Sequence, residues 1–445
     1  MGLNVFKNTV LLFVLVMISC ANLSKSKVER QKPEATKNEA LLKQARYQNS
    51  NLSDSTIFVG ANQIGRYLKR LHQKRVGIVA NQTSVIFKNA VDSIFEVYPT
   101  GEVEFSHIQT NNILYTHLVD SLLSLNIDIK KVFSPEHGFR GTADAGELVK
   151  DGIDTKTGLP IVSLYGNNKK PTQKQLEGLD IVVFDIQDVG VRFYTYISTL
   201  HYIMEACAEA NIPVLILDRP NPNGHYVDGP TLEKENQSFL GMHTIPLVHG
   251  MTIGEYAQMI NGEKWLANNL QCELAIVPVK NYNHYLFYSL PIRPSPNLPN
   301  DKSIALYPSL GLFEGTNINA GRGTEFQFQR YGAPFLDKKV FTFSYTPVEN
   351  FGAKYPKHKG KLCYGEHLEN EKLNGEVSLK WLIKAYKNST DKSLFFNTDN
   401  FTKHAGTTTL QQQIEAGMSE ESIKASWQDD LKTFKDIRKK YLIYD

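Results

Sequence analysis

Between Val76 and Val279 short apolar runs rich in β-branched residues recur, separated by segments of helical period. Short, largely apolar runs bounded by turn formers predict strands, here Val76 to Ala80, Lys131 to Phe133, Ile161 to Leu164, Ile181 to Phe184, Val214 to Leu217 and Leu274 to Val277. The intervening segments carry their apolar residues at helical spacing. His117 to Leu125 places Leu118, Leu122 and Leu125 on one side, Tyr196 to Ala210 places Ile197, Leu200, Ile203, Met204 and Cys207, and Ile253 to Leu266 places Tyr256, Ile260 and Trp265. Strands alternating with helices predict a mainly parallel sheet in a Rossmann-like α/β domain.

After about Asn281 the texture changes. Pro291, Pro294, Pro296 and Pro299 follow one another closely, which predicts a boundary or a long crossover. Beyond them the pattern is less regular, with a strand-like run at Val340 to Tyr345 and helical stretches at Leu379 to Tyr386 and Glu420 to Tyr441. The tail reads as a smaller α+β domain. The predicted division is therefore 56–280 for the Rossmann-like domain and 281–445 for the C-terminal domain closing a cleft.

The first 55 residues belong to neither. Lys7 precedes an apolar run from Val10 to Ile18, too short to span a bilayer and of the length of a signal-peptide core. The run ends in Met17-Ile18-Ser19-Cys20, which is similar to the lipobox at which bacterial lipoproteins are cleaved and acylated. Residues 1–20 are thus expected to be a lipoprotein signal, with Cys20 as the anchor. Residues 21–55 are polar and charged, bury too little to offset their ordering entropy, and read as a tether. The expected location is the cell envelope, periplasmic or outer-membrane-associated, with the membrane reached only through lipid.

Composition narrows the chemistry by exclusion. Hydrophobic residues at 41% and charged residues at 21% are ordinary for a globular protein, and a net charge of +3 asks for no nucleic-acid partner. Cys207, Cys272 and Cys363 are widely spaced with no Cys-x-x-Cys, so neither a disulfide framework nor a zinc site is expected. No Walker loop, Gly-x-Gly-x-x-Gly or Gly-x-Ser-x-Gly occurs, and His137, Asp185, Asp188 and His201 lack metal-ligand spacing. No cofactor or metal is expected.

Ligands of open parallel sheets sit beyond the carboxyl ends of the strands, where loops and helix N-termini converge. The predicted strands end in Asn81-Gln82-Thr83, Ser134-Pro135-Glu136-His137-Gly138, Asp185-Ile186-Gln187-Asp188-Val189-Gly190 and Asp218-Arg219-Pro220-Asn221. Glu136, Asp185, Asp188 and Asp218 therefore face one crevice. Each also has a structural reading. Asp218 and Asn221 either cap and brace loops or contact ligand, Asp185 or Asp188 either holds Arg192 or takes part in chemistry, and His137 either packs or assists. Glu136 has no special use in such a turn, which favours function.

Taken in order, Ser134-Pro135-Glu136-His137-Gly138-Phe139-Arg140-Gly141, the run Asp185 to Tyr196 with Arg192, Tyr194 and Tyr196, Asp218-Arg219-Pro220-Asn221-Pro222 and Glu314-Gly315-Thr316-Asn317 resemble the NamZ family of exo-β-N-acetylmuramidases. The resemblance implies an active site between two domains and removal of terminal, non-reducing N-acetylmuramic acid from peptidoglycan fragments. It makes Glu136 the leading catalytic residue, with Asp185 and Asp188 as candidates for a second carboxyl group, since most glycosidases present two. Asn81, His137, Arg192, Tyr194, Tyr196, Asp218, Asn221, Glu314, Asn317 and Arg322 become candidate substrate contacts. The lactyl carboxylate of muramic acid needs a forked cation or backbone amides, for which Arg192, Arg219, Arg322 and the loop Asn319 to Thr324 are available. A non-catalytic muropeptide-binding lipoprotein would use the same cleft.

Overall fold

A computed structural model describes residues 56–88, 95–96, 114–141 and 151–445. The expected signal segment, tether and Cys20 lie outside the described residues. Seven strands form the main sheet: β1 (Val76–Ala80), β2 (Ile129–Ser134), β3 (Gly152–Ile153), β4 (Pro160–Ser163), β5 (Ile181–Asp185), β6 (Val214–Leu217) and β7 (Leu274–Val277). Their spatial order is β7-β6-β5-β1-β2-β4-β3, parallel except where β3 runs against β4. Every residue of β1, β5 and β6 is buried, as expected of continuous apolar strands covered on both faces.

Alternation along the strands divides the core. Val79, Phe133, Val182, Phe184 and Ile216 face one side, where they meet helices α1 (Tyr196–Glu209) and α2 (Ile253–Gly262). Ile78, Ala80, Val132, Val183 and Leu217 face the other, against Leu118, Val119 and Leu122 of the helix Leu118–Ser124. The first cluster continues through Leu306 and Leu310 of α3 (Asp301–Leu310) to Phe313, Tyr331 and, on α4 (Thr398–Ala405), Phe401. One apolar core thus runs past residue 281 without interruption.

The predicted six strands and three helices of the α/β part are present. Val76–Ala80, Val214–Leu217 and Leu274–Val277 have the expected bounds, and the other ends shift by up to four residues, most at Ile253–Gly262, where Lys264 turns to a φ of 56°. In the tail, the strand is only Phe343–Tyr345, because Val340 and Phe341 donate their amides to the Asp337 carbonyl in a turn. It joins Arg330–Ala333 and Cys363–His367 in an antiparallel sheet. The helix expected from Glu420 to Tyr441 is two, Glu420–Ala425 and Gln428–Arg438. The Ser426 hydroxyl bonds back to the Ile423 carbonyl at 2.7 Å, a local competitor to helical bonding.

The two parts are tied by Arg192, which is wholly buried. Its Nη1 donates to the carbonyls of Pro230 (2.7 Å) and Ile245 (2.8 Å), and its Nη2 to those of His404 (3.1 Å) and Ala405 (2.6 Å), the last turn of α4. Helix C-terminal carbonyls have no intrahelical partner and carry partial negative charge, so a guanidinium satisfies both needs. Gly406, at φ 79°, ends α4, and a Cβ there would stand 2.5 Å from Nη2. Burial pulls the Arg192 pKa down to about 9, so the cation persists at neutral pH. Arg192→Met should strand these acceptors and lower unfolding free energy by about 3 to 5 kcal/mol. Urea denaturation checks this, and a loss below about 1 kcal/mol would deny Arg192 the tying role.

Candidate active site

The chain runs outward through β1, β2 and β4, then returns to place β5 on the other side of β1. This reversal is the switch point at which the carboxyl edge of a doubly wound sheet opens a crevice. Register brings Ala80 opposite Asp185 and Val79 opposite Phe133, so β1, β2 and β5 end nearly flush. Beyond β2, Pro135 stops the strand, and His137 and Gly138 adopt φ values of 70° and 80°, which turns the chain sharply and leaves Glu136 half-buried at the edge.

Two hydroxyls hold that carboxylate. Tyr165, two residues past β4, donates to Oε1 at 3.1 Å, and Thr195, the N-cap of α1, donates to Oε2 at 3.2 Å. Burial and the Glu136 charge push the Tyr165 pKa up, so its phenol keeps its proton. Tyr196 accepts from Asn81 Nδ2 at 2.9 Å and lies 3.5 Å from the Glu136 carbonyl, bracing the turn from beneath.

Glu136 opens into a cavity of about 270 Å³ between the two parts of the chain. The Rossmann-like part supplies Glu136, His137, Tyr165, Tyr194 and Thr195, and the proline-rich crossover supplies Ser295 and Asn297. Tyr307 of α3, Phe328, Glu314, Arg322 and His404 line it from the C-terminal part, and Phe193, Phe239, Leu240 and Leu298 add apolar wall. Among the described residues, Glu136 and Glu314 are the carboxylates of this wall and Arg322 its permanent cation. Arg322 Nη1 binds Glu314 Oε2 at 3.0 Å. Burial pushes the Glu314 pKa up, but Arg322 and Lys357 outweigh it and hold the carboxyl below its usual range. Lys357 also clamps the loop by donating to the carbonyls of Phe313, Glu314 and Thr316.

Several features mark the cavity as built for a ligand. Asn297 Oδ1 and Arg322 Nε are buried with no hydrogen-bond partner among the described residues, an acceptor and a donor left open. His404 Nδ1 sits 2.8 Å from the Asn400 carbonyl and so carries the proton, leaving Nε2 as an acceptor. His137 and Phe328 both hold left-handed backbone, at φ 70° and 53°. That conformation costs bulky residues about 1 to 3 kcal/mol each and concentrates at functional sites.

Two family models, described as the N-terminal and C-terminal parts of exo-β-N-acetylmuramidase NamZ, match residues 76–302 and 305–444. The chain belongs to the NamZ family. It is 39% identical over 400 residues to the peptidoglycan β-N-acetylmuramidase NamZ of Bacillus subtilis strain 168, covering 85% of this chain and 89% of that one. Two crystal structures of DUF1343 family proteins from Bacteroides fragilis NCTC 9343 resemble it. One has a TM-score of 0.75 at 42% identity over 88% of this chain and 99% of the other, and the second 0.67 at 26% over 88% and 100%.

Within this NamZ chain the residues singled out by sequence separate into two groups. Glu136, His137, Tyr194, Glu314 and Arg322 line the cavity. The others are placed elsewhere. Asp185 is fully buried with Oδ1 2.6 Å from Arg219 Nε and Oδ2 3.0 Å from Nη2, a closed ion pair at the end of β5. Asp218 accepts from Thr252 Oγ1, the Gly254 amide and Tyr444 hydroxyl, fastening the start of α2 and the chain's end. Asn221 donates to the Met251 carbonyl and accepts from the Asn223 amide, Asn81 braces Tyr196, and Arg192 fills the joint. Asn317 is exposed and bonds the Leu394 carbonyl. Sequence reasoning passed over Tyr165, Thr195, Asn297, Tyr307, Phe328 and His404. Tyr165 was accessible to the strand-end rule, and Thr195 lay inside a quoted motif; the rest come from the tail, where no periodicity pointed to a site.

Asp188 lies under the loop rather than in the cavity wall. Its Oδ2 accepts from the Gly190 amide at 2.7 Å, its Oδ1 has no hydrogen-bond partner among the described residues, and His249 Nε2 is 3.8 Å from Oδ2. Burial lifts its pKa from 3.8 to about 7. Between these values the folded protein keeps a proton that the unfolded chain has lost, so this group makes stability fall as pH rises. Asp188→Asn removes that dependence, and its stability relative to the parent should climb from pH 4 to pH 7 and then level off. Urea unfolding across the range measures it; a constant difference would mean that Asp188 titrates normally.

Proposed function

We propose that this chain is an exo-acting glycosidase that releases terminal, non-reducing, β-linked N-acetylmuramic acid from peptidoglycan fragments. The observation that carries the reading is the cavity itself. At about 270 Å³ it lies just below the roughly 300 to 1,000 Å³ of small-ligand pockets, room for one sugar ring rather than a glycan strand. It is lined by two carboxylates and one guanidinium.

Glycoside cleavage needs a proton on the leaving oxygen and negative charge near an oxocarbenium-like transition state. Glu136 supplies the proton, oriented by Tyr165 and Thr195. Glu314, held ionised, supplies the charge. Arg322 is anchored by Glu314 and by the Gly352 carbonyl, and its open Nε receives the lactyl carboxylate that distinguishes muramic acid. Asn297 Oδ1 accepts from the sugar. The family membership supports this assignment of substrate and linkage.

The parent protein should release free N-acetylmuramic acid from the disaccharide with N-acetylglucosamine. Glu136→Gln should lower that rate by roughly 10²- to 10⁴-fold, because the amide has no proton to give. The loss should be much smaller on an aryl glycoside, whose phenolate leaves unaided. Large soluble fragments from intact sacculi would refute exo action, absence of turnover would return the chain to a muropeptide-binding role, and a fully active Glu136→Gln variant would remove Glu136 from the mechanism.

We further infer that Cys20 is acylated and tethers the enzyme to a membrane of the cell envelope, on the strength of the apolar run and the Ser19-Cys20 junction. Mass spectrometry of the membrane fraction should find a lipid-modified N-terminal Cys20. An unmodified Cys20 there, or cleavage at another site, overturns this.

A further inference from the structure

A cavity that holds one sugar leaves the rest of the fragment outside it, and the leaving sugar must then rest on the rim. The structure shows a built rim element next to Arg322. Asn350 and Ala353 exchange both backbone hydrogen bonds, at 3.2 and 3.0 Å, so Phe351 and Gly352 form the tip of a two-residue turn. Gly352 has φ 94°, which a turn of this kind asks of its second tip residue, and a Cβ there would stand 2.8 Å from Pro296.

The tip is fixed to the cavity wall. The Gly352 carbonyl accepts from Asn297 Nδ2 at 2.8 Å and from Arg322 Nη2 at 3.3 Å, the two wall residues whose remaining polar atoms stand open. On its other flank Asn350 Nδ2 donates to the Thr324 carbonyl at 3.0 Å, and the Val348 amide to that of Gly323 at 2.9 Å. Turn tips ordinarily carry small or polar residues. Here the tip carries Phe351, 55% exposed, with Val348 and Tyr355 also exposed nearby. The Phe351 ring is thus held on a turn bonded to the wall, one residue from it, and belongs to neither apolar core cluster.

We propose that Phe351 is the platform for the sugar on the leaving side of the scissile bond. The ring meets the apolar C–H face of that sugar, while the same turn, through Gly352, orients Arg322 and Asn297 around the terminal residue. One rigid element thereby couples recognition on both sides of the bond. This rests on the function proposed above.

The test compares two substrates of the full-length protein: the N-acetylmuramyl-β-N-acetylglucosamine disaccharide and N-acetyl-β-muramyl fluoride, whose leaving group has no ring. Phe351→Ala should lower the ratio of disaccharide to fluoride kcat/KM by about tenfold, chiefly through KM, the size of one lost aromatic contact. Phe351→Trp should restore the ratio. An unchanged ratio, whether through equal losses on both substrates or no loss on either, overturns the platform. The parent protein is the separate control: if it releases N-acetylmuramic acid from neither substrate, the proposed function itself has failed, whereas normal parent activity with an unchanged variant ratio rejects Phe351 alone.

Discussion

The buried charge of Arg192 constrains everything around it. Transferring a guanidinium out of water costs roughly several kcal/mol even after relaxation, and among the described residues no carboxylate pairs with Arg192 to offset that. Its compensation is four carbonyls, two from the Rossmann-like part and two from the end of α4. Satisfying the cation brings these segments together at Arg192, so hydrogen-bond geometry restricts their arrangement in addition to apolar contact. The residues beside this joint are Phe193, Tyr194 and Thr195 on one strand of the connection and His404 on the other, all in the cavity wall. Fixing Arg192 therefore fixes the width of the site.

The site spends stability gained elsewhere. His137 and Phe328 hold left-handed backbone, and Asn297 and Arg322 keep buried polar atoms without partners. Each is unfavourable by itself and becomes useful when a ligand supplies complementary groups. The surrounding clamps explain why the strain persists. Tyr165, Thr195 and Tyr196 hold the Glu136 turn, Lys357 holds the Glu314 loop, and the 350–353 turn holds Arg322.

The sheet was legible because its central strands are buried on both faces and so read as continuous apolar runs. The helix α1 was legible because Ile197, Leu200, Ile203, Met204 and Cys207 recur at helical spacing, and all five are buried. The tail was harder. Its short strands are paired by distant segments, as Arg330–Ala333 is with Cys363–His367, and its helix near Glu420 breaks at a serine that also suits a helix surface. The far wall of the cavity comes from this region, through Tyr307, Phe328 and His404, residues whose proximity to Glu136 is set by Arg192 and the shared core rather than by any local pattern.

Strand-end carboxylates illustrate what position alone decides. Asp185 is the last residue of β5, opposite Ala80, and at that depth both oxygens are closed off by Arg219. Asp218 directly follows β6 and is consumed by the start of α2 and by Tyr444. Glu136 lies two residues beyond β2, past a proline and in a turn, with a side chain one methylene longer. Carboxylates at the sheet edge stay dry and are held by neighbours for structural ends, because an unpaired buried charge is too costly. Glu136 remains half-buried, with the Tyr165 and Thr195 hydroxyls on its two oxygens, and faces the cavity. Asp188, three residues past β5, is buried all the same, so the course of the turn, which Pro135, His137 and Gly138 set for Glu136, separates the residue that can do chemistry from those that hold the scaffold.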